Sequence, residues 1–206
     1  TRNMSSAASD VYKRQIQGHS AYPDRSNNPI VAMVKLLDKL VSHQLDAGTE
    51  HFDPSTLAIT SVDTGNKASN VIPAVTKATI NIRFNDSHSG SSLVSWLKDE
   101  IEKVSAEYGI KFKTDFKISG ESFITPPGEL SDLISKAVKQ ELGVTPKLST
   151  TGGTSDARFI KDMCPVTEFG LVGKTMHAVD EKVETKQINQ LKEIYTRILE
   201  AYFEKT

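Results

Sequence analysis

The sequence predicts the α/β class: a βαββαβ split unit followed by part of an α/β layer structure. Three observations predict it. The hydrophobic period switches from segment to segment between three-and-four spacing and strict alternation. Before Pro126 the order of those segments is α-β-β-α-β, one strand short of a split unit with four strands and two helices on one face. After Pro126-Pro127-Gly128 the rhythm changes to alternating helices and strands, which indicates layered α/β packing. That block is too short to close a doubly wound sheet and reads as the remaining part of a larger domain.

Thr1 to Gln15, TRNMSSAASDVYKRQ, is Ser/Ala-rich, lacks a clear period and runs abruptly into patterned sequence. It reads as a non-native sequencing linker or a disordered leader and is set apart from the fold argument; the alternative is a disordered arm or a truncated strand. The strand missing from the split unit belongs in the region it occupies, so the chain is expected to begin inside or just after that strand. Ile30, Met33, Val34, Leu37, Leu40 and Val41 recur on one helix face, opened by Asn28-Pro29 and closed near Gly48. Leu57 to Val62 is a short β-rich run. From Thr76 to Phe84, Ala78, Ile80, Ile82 and Phe84 point one way while Lys77, Thr79, Asn81 and Arg83 point the other. A second helix carries Leu93, Leu97, Ile101, Val104 and Tyr108, with Gly109 as its stop. Phe112, Phe116 and Ile118 alternate with lysines and Asp115 as a half-exposed strand.

Beyond the boundary, Leu130, Leu133, Ile134, Ala137 and Val138 predict a helix closed by Gly143. A short strand at Lys147 to Ser149, a short helix from Ser155 and a buried strand at Val166 to Phe169 follow. Ile188, Leu191, Ile194, Tyr195, Ile198 and Tyr202 stripe the last helix. The expected organisation is therefore 1–15 leader, 16–125 split unit and 126–206 C-terminal block.

With 25 basic and 26 acidic side chains in 206 residues, the net charge is -1, and no basic block gives a footprint for nucleic acid. No apolar run approaches the roughly 20 residues that span a bilayer. Cys164 is the single cysteine, so neither an internal disulfide nor a cysteine-based zinc site is available, and a reducing, cytoplasmic location is the default. Cys164 is expected to pack as a small apolar group.

Three places can carry chemistry. Gly18-His19-Ser20-Ala21-Tyr22-Pro23 frames a His just before the first helix; the plain alternative is a tight turn with a solvated imidazole. Thr151-Gly152-Gly153-Thr154-Ser155-Asp156 offers free backbone N–H groups at a helix start, suited to a carboxylate or phosphate. No Gly-Lys-Ser/Thr follows, so it is no Walker loop, and an ordinary strand-to-helix turn explains it equally well. Gly170 to His177 puts a His on a Gly-spaced loop at a strand end, where open α/β folds keep their ligands. One His is not a zinc site, and a structural or solvated role is the alternative. His43, His51, His88, Trp96 and the Lys111, Lys113 and Lys117 face read as structural or solvated.

The segments GHSAYP, SNVIPA, INIRF, ISGESF, GGTSDARF and EFGLVGKTMHAVDE resemble, in the same order, the C-terminal half of the metal-dependent aminoacylase and carboxypeptidase family. The resemblance runs from about Ile16 to the C-terminus, and GGTSDARF favours its desuccinylase members over the deacetylases. It implies an α/β catalytic domain holding two metal ions, zinc with cobalt as an alternative, and an inserted ferredoxin-like βαββαβ lid that carries a homodimer contact. It further implies hydrolysis of a small-molecule substrate, N-succinyl-LL-2,6-diaminopimelate, to succinate and LL-diaminopimelate in lysine biosynthesis. Carried over by residue, His177 matches a zinc ligand. His19 matches the lid His that reaches the partner's active site and stabilises the oxyanion. Asn70, Arg83, Ser119, Gly153 and Thr154 match positions that grip the substrate's carboxylates and amide.

The resemblance also places the other zinc ligands and the catalytic Glu in an N-terminal half, and no His-x-Asp or Glu-Glu pair precedes the lid here. The chain as it stands is therefore expected to hold no di-zinc centre and to hydrolyse nothing. Two alternatives stand beside this reading: a related N-acyl-amino-acid deacylase or dipeptidase, and a non-catalytic ferredoxin-like module for dimerisation.

Overall fold

In the computed structural model the described residues are 7–9, 18–150 and 155–204. The chain divides into two compact units, one running to Phe123 and the other comprising Ile124–Thr150 and Ser155–Thr206.

The first unit opens with β1 (Ala7–Ser9) and β2 (Gly18–His19), followed by a single 3-10 turn at Pro23–Arg25. Helix α1 (Pro29–Ser42) starts where Asn28 Oδ1 accepts the Ile30 N–H at 3.0 Å, with Pro29 at the first helical position. It ends six residues short of the expected Gly48, because Asp46 folds the following loop around itself. Its buried face is Ala32, Met33, Leu36, Leu37 and Leu40. Val34 and Val41, expected on that face, are 55% and 50% exposed. They sit about a third of a turn away from its centre, and three-and-four spacing fits both stripes equally well.

Strands β3 (Thr56–Asp63) and β5 (Lys77–Arg83) pair antiparallel, with a register shift between Ile59 and Ser61. Two-residue β4 (Val71–Ile72) lies between them in sequence. On β5 the predicted alternation holds, with Ala78, Ile80 and Ile82 buried and Phe84 continuing the row. Helix α2 (Gly90–Tyr108) is opened by a reciprocal cap between Ser89 and Ser92 and closed by Gly109 at φ 60°. A Cβ at Gly90 would come within 2.7 Å of Ile118 Cγ2, so only glycine lets α2 start against the next strand. Strand β6 (Phe116–Ile118) is shorter than predicted, with Phe112 outside it but packed on the core. It pairs antiparallel with β1, Ala7 opposite Ile118, and β1 also lies alongside β5. Thus β1 falls within the leader set apart above and takes the place of the strand the pattern was missing.

Both helices cover the apolar face of β5, and the core joins Met33, Leu36 and Leu40 to Ile80, Ile82, Phe84, Leu93 and Leu97. Beside it lies a polar node. Asp46 Oδ1 accepts from Gly48 N at 2.7 Å, Ser55 N at 3.1 Å and Asn85 Nδ2 at 2.7 Å. Asn85, only 1% exposed, donates its own N–H to Ser55 Oγ at 3.0 Å. Burial by itself would raise the Asp46 carboxyl, but these donors and the Ser55 hydroxyl outweigh it and hold the group down to about 2. His88 Nε2 lies 3.2 Å from Asp46 Oδ2, close enough for an ion pair when the ring is protonated. Across the helices, Lys39 and Lys103 both clasp Glu100, at 2.7 and 2.6 Å.

The second unit holds α3 (Glu129–Leu142), α4 (Ala157–Ile160) and α5 (Thr185–Phe203). Ile134, Ala137 and Val138 of α3 meet Ile194 and Ile198 of α5, with Leu130 and Phe169 half-buried against them. Arg197 reaches Glu141 at 3.1 Å, and the Tyr195 hydroxyl donates to the Phe169 carbonyl at 2.6 Å. Of the predicted α5 stripe, Ile188, Tyr195 and Tyr202 are exposed. Lys147–Ser149 and Val166–Phe169 are not strands. A strand is a ladder rather than a property of a segment, and among the described residues neither segment takes part in a sheet ladder. Cys164 is exposed, not packed.

Candidate functional site

His19 is presented by a short, well-fixed device. It sits on β2, directly opposite Val71 of β4, and the next residue, Ser20, donates its N–H to the Asn70 carbonyl at 3.0 Å. The ladder therefore holds the backbone of Asn70 one position along from the partner of His19. Beyond it the chain turns back at once: Tyr22 N donates to His19 O at 2.9 Å and Ser26 N to Pro23 O at 3.1 Å. This tight reversal requires glycine at 18, since a Cβ there would lie 2.5 Å from Ser26 Cβ.

The imidazole is exposed, and its Nδ1 accepts the Ala21 N–H at 3.1 Å. With Nδ1 used as an acceptor, the proton of the neutral ring belongs on Nε2. The local backbone thus selects the tautomer that offers an outward N–H donor.

The loop before β4 is held by its own side chains. Gly65 N donates to Asp63 Oδ1 at 2.9 Å, and Asn66 bonds with Ala68 and Val71. Arg83 ends β5 on its polar face, opposite Thr56. Ser119 follows β6 and is half-buried. Two residues on, the Glu121 carboxylate accepts the Gly90 N–H at 3.0 Å, tying the segment to the start of α2. All four of these predicted residues lie in the first unit; the backbone links Asn70 to Ser20, the neighbour of His19. Gly153 and Thr154 lie outside the described residues.

His177 lies in the second unit, exposed, at φ 63°, in a left-handed conformation that no other described non-glycine residue adopts. Such backbone persists only where its surroundings impose it. Here Thr175 Oγ1 accepts the Lys182 N–H at 3.0 Å and donates to the Lys182 carbonyl at 2.9 Å, closing a loop with His177 at its tip. Glu181 accepts the His177 N–H at 3.3 Å. Among the described residues no three of His, Cys, Asp and Glu come together as a metal site. Zinc needs three or four protein ligands, so the His177 loop offers one donor and does not by itself fit the ion.

Sequence reasoning missed Asn66, Glu121 and Thr175, the residues that hold the site loops. Asp63-Thr64-Gly65-Asn66 was a readable turn signal for the first of them.

The order β1-α1-β3-β5-α2-β6 of the first unit, with β2 and β4 as a short added ladder, is a split βαββαβ arrangement of the α/β class. The chain belongs to the peptidase dimerisation domain family, whose model matches residues 1–109. It is 63% identical over 190 residues to a succinyl-diaminopimelate desuccinylase of Cereibacter sphaeroides, covering 92% of this chain and 50% of that protein. A desuccinylase of Ruegeria pomeroyi is 63% identical over 188 residues, with 91% and 50% covered. The chain thus spans about half the length of the relatives it matches. Among solved structures, a tripeptidase from Staphylococcus aureus superposes with a TM-score of 0.78 at 18% identity, covering 97% of this chain and 52% of that one. A di-peptidase of Saccharomyces cerevisiae gives 0.76 at 14% identity, covering 99% and 56%. These structures establish the α/β fold.

Proposed function

We propose that this chain supplies the dimerisation lid and C-terminal catalytic segment of a cytoplasmic succinyl-diaminopimelate desuccinylase. That enzyme hydrolyses N-succinyl-LL-2,6-diaminopimelate to succinate and LL-diaminopimelate. The observation that carries the reading is the 63% identity to desuccinylases over nine-tenths of the chain; the tautomer imposed on His19 gives it a chemical basis. An amide carbonyl under attack develops an oxyanion, and a preorganised N–H aimed at it stabilises the transition state more than the ground state. His19 Nε2–H is such a donor, delivered to the partner's site. The Asn70 amide contacts the substrate's amide or acyl carboxylate, and the Arg83 fork suits a bidentate carboxylate. Ser119, Gly153 and Thr154 complete the grip. Zinc, with cobalt as the alternative, polarises the carbonyl and activates water in such enzymes. His177 would contribute one ligand to that centre, and the described residues do not provide the others.

The proposed homodimer uses α1 and the free edge of β3. Val31, Val34 and Val41 are exposed on one side of α1, Val62 is exposed on β3, and β3 pairs only with β5 among the described residues. Val34→Asp should turn a dimer into a monomer in sedimentation velocity at micromolar concentration; an unchanged sedimentation coefficient places the contact elsewhere. The chain by itself should release no succinate from the substrate. Fused to the N-terminal half of a desuccinylase relative it should become active, and His19→Ala should then lower kcat about 100 to 1000-fold. Hydrolysis by the unfused chain above a metal-only blank would overturn the inactivity, and an unchanged kcat in His19→Ala would remove the oxyanion role.

A further inference from the structure

We infer that Asn66 is the positioning residue of the lid site: its side chain seats Asn70 against the His19 strand. The inference deepens the proposed function and rests on the reading of His19 and Asn70 as site residues. Asn66 Nδ2 donates to the Val71 carbonyl at 2.8 Å and to the Ala68 carbonyl at 3.1 Å, while Oδ1 accepts the Ala68 N–H at 3.2 Å. Three bonds from one side chain thus bracket Asn70 on both sides. Val71 is the ladder partner of His19, and Asn70 O receives the Ser20 N–H.

The β2–β4 ladder has only two residues on each strand. A pairing so short cannot hold its own register, because ordering each residue costs more than one backbone bond returns. Turn residues therefore decide whether Asn70 and His19 stay adjacent. Asp63 and Gly65 shape the bend, with Gly65 at φ 61°, but their bonds close before residue 66. Asn66 is the side chain that spans from the bend to β4. It is itself exposed, so its amide serves the loop and not the packed core.

Amide hydrogen exchange on the 206-residue chain, without substrate, tests this. In Asn66→Asp the carboxylate keeps the Ala68 N–H but loses both donations and faces two carbonyls; Asn66→Ala loses all three bonds. Both should speed exchange of the Ser20 amide about tenfold and shift the His19 ring nitrogen resonances, while Ile80 and Ile82 amides and the thermal midpoint hold. Lys67→Ala, one residue along the same loop, should change neither signal. Unchanged Ser20 exchange in both Asn66 variants overturns the inference, as does an equal speed-up of the Ile80 and Ile82 amides, which marks global unfolding. Because no ligand is involved, failure here is distinct from failure of the desuccinylase reading, which the fused enzyme tests.

Discussion

The two units of this chain solve the same problem with unequal resources. In the first, two helices close over one face of β5, and Leu36, Leu40, Ile82, Phe84 and Leu97 are all but sealed from water. A polar node centred on Asp46 ties the α1–β3 connection to the end of β5. In the second, two helices share a seam of five buried side chains, and α5 leaves Ile188, Leu199, Tyr202 and Phe203 in solvent. A sheet gives helices a broad surface to cover, whereas a helix pair buries only one stripe on each partner. The first unit has a large core beneath the His19 ladder; the second unit has a smaller cluster of buried residues with which to hold the His177 loop.

The sharpest way to break that contrast is to cut the same amount of packing from each side. Phe84→Ala, at a position 1% exposed, should destabilise the lid by about 3 to 5 kcal/mol in urea denaturation. Ile194→Ala, 2% exposed but set in a small seam that can collapse, should cost about 2 kcal/mol, the low end for such truncations. Trp96 is the only tryptophan and lies half-buried against the first unit's core, so its fluorescence reads the Phe84 variant, while exchange of the α3 and α5 amides reads the Ile194 variant. Equal losses for the two substitutions would mean that the seam is packed as tightly as the lid.

The same contrast explains what could be read in the sequence. Local signals were legible: the β5 alternation, the Asn28-Pro29 start of α1, the Gly109 stop of α2 and the Gly143 stop of α3 all depend on residues a turn apart. Signals that need a distant partner were not. Lys147–Ser149 and Val166–Phe169 carry strand composition, but composition cannot supply a neighbour. Val34 and Val41 share the spacing of the buried stripe, and only the direction of the sheet decides which stripe goes in. At the site, the motifs marked His19 and Asn70 separately. Their adjacency is a tertiary fact created by β2 and β4, and the left-handed His177 is imposed by the Thr175–Lys182 closure.

Acid should separate the units next. The Asp46 carboxyl is held at about 2, against an ordinary 3.8, by the donors gathered around it. A depressed carboxylate contributes stability that is complete above its unfolded value and is lost as pH falls through the folded one. The window is therefore between about pH 4 and pH 2, and the amount at stake is about 2 kcal/mol. Glu100, lowered first by Lys103 and then by Lys39, adds a loss of the same sign. Trp96 fluorescence should show the lid weakening across that window, and Asp46→Asn should flatten the pH dependence while lowering stability at neutral pH. An Asn variant with the wild-type acid profile would show that the node is not what acid attacks.

The smallest expected effect asks whether the two units unfold together. Gly109 closes α2 at φ 60° and Gly143 closes α3 at φ 70°, and a Cβ at either would meet nothing within 4 Å. Alanine in their place is therefore penalised by the left-handed backbone alone, about 1 kcal/mol at each site. The chemistry of the two substitutions is matched, so any difference in their readout belongs to the units. If the units unfold independently, Gly109→Ala lowers the Trp96 midpoint by a few degrees and Gly143→Ala leaves it in place, moving only the exchange of α3 and α5 amides. If both substitutions lower the Trp96 midpoint equally, the small seam and the large core melt as one, and the second unit draws its order from the first.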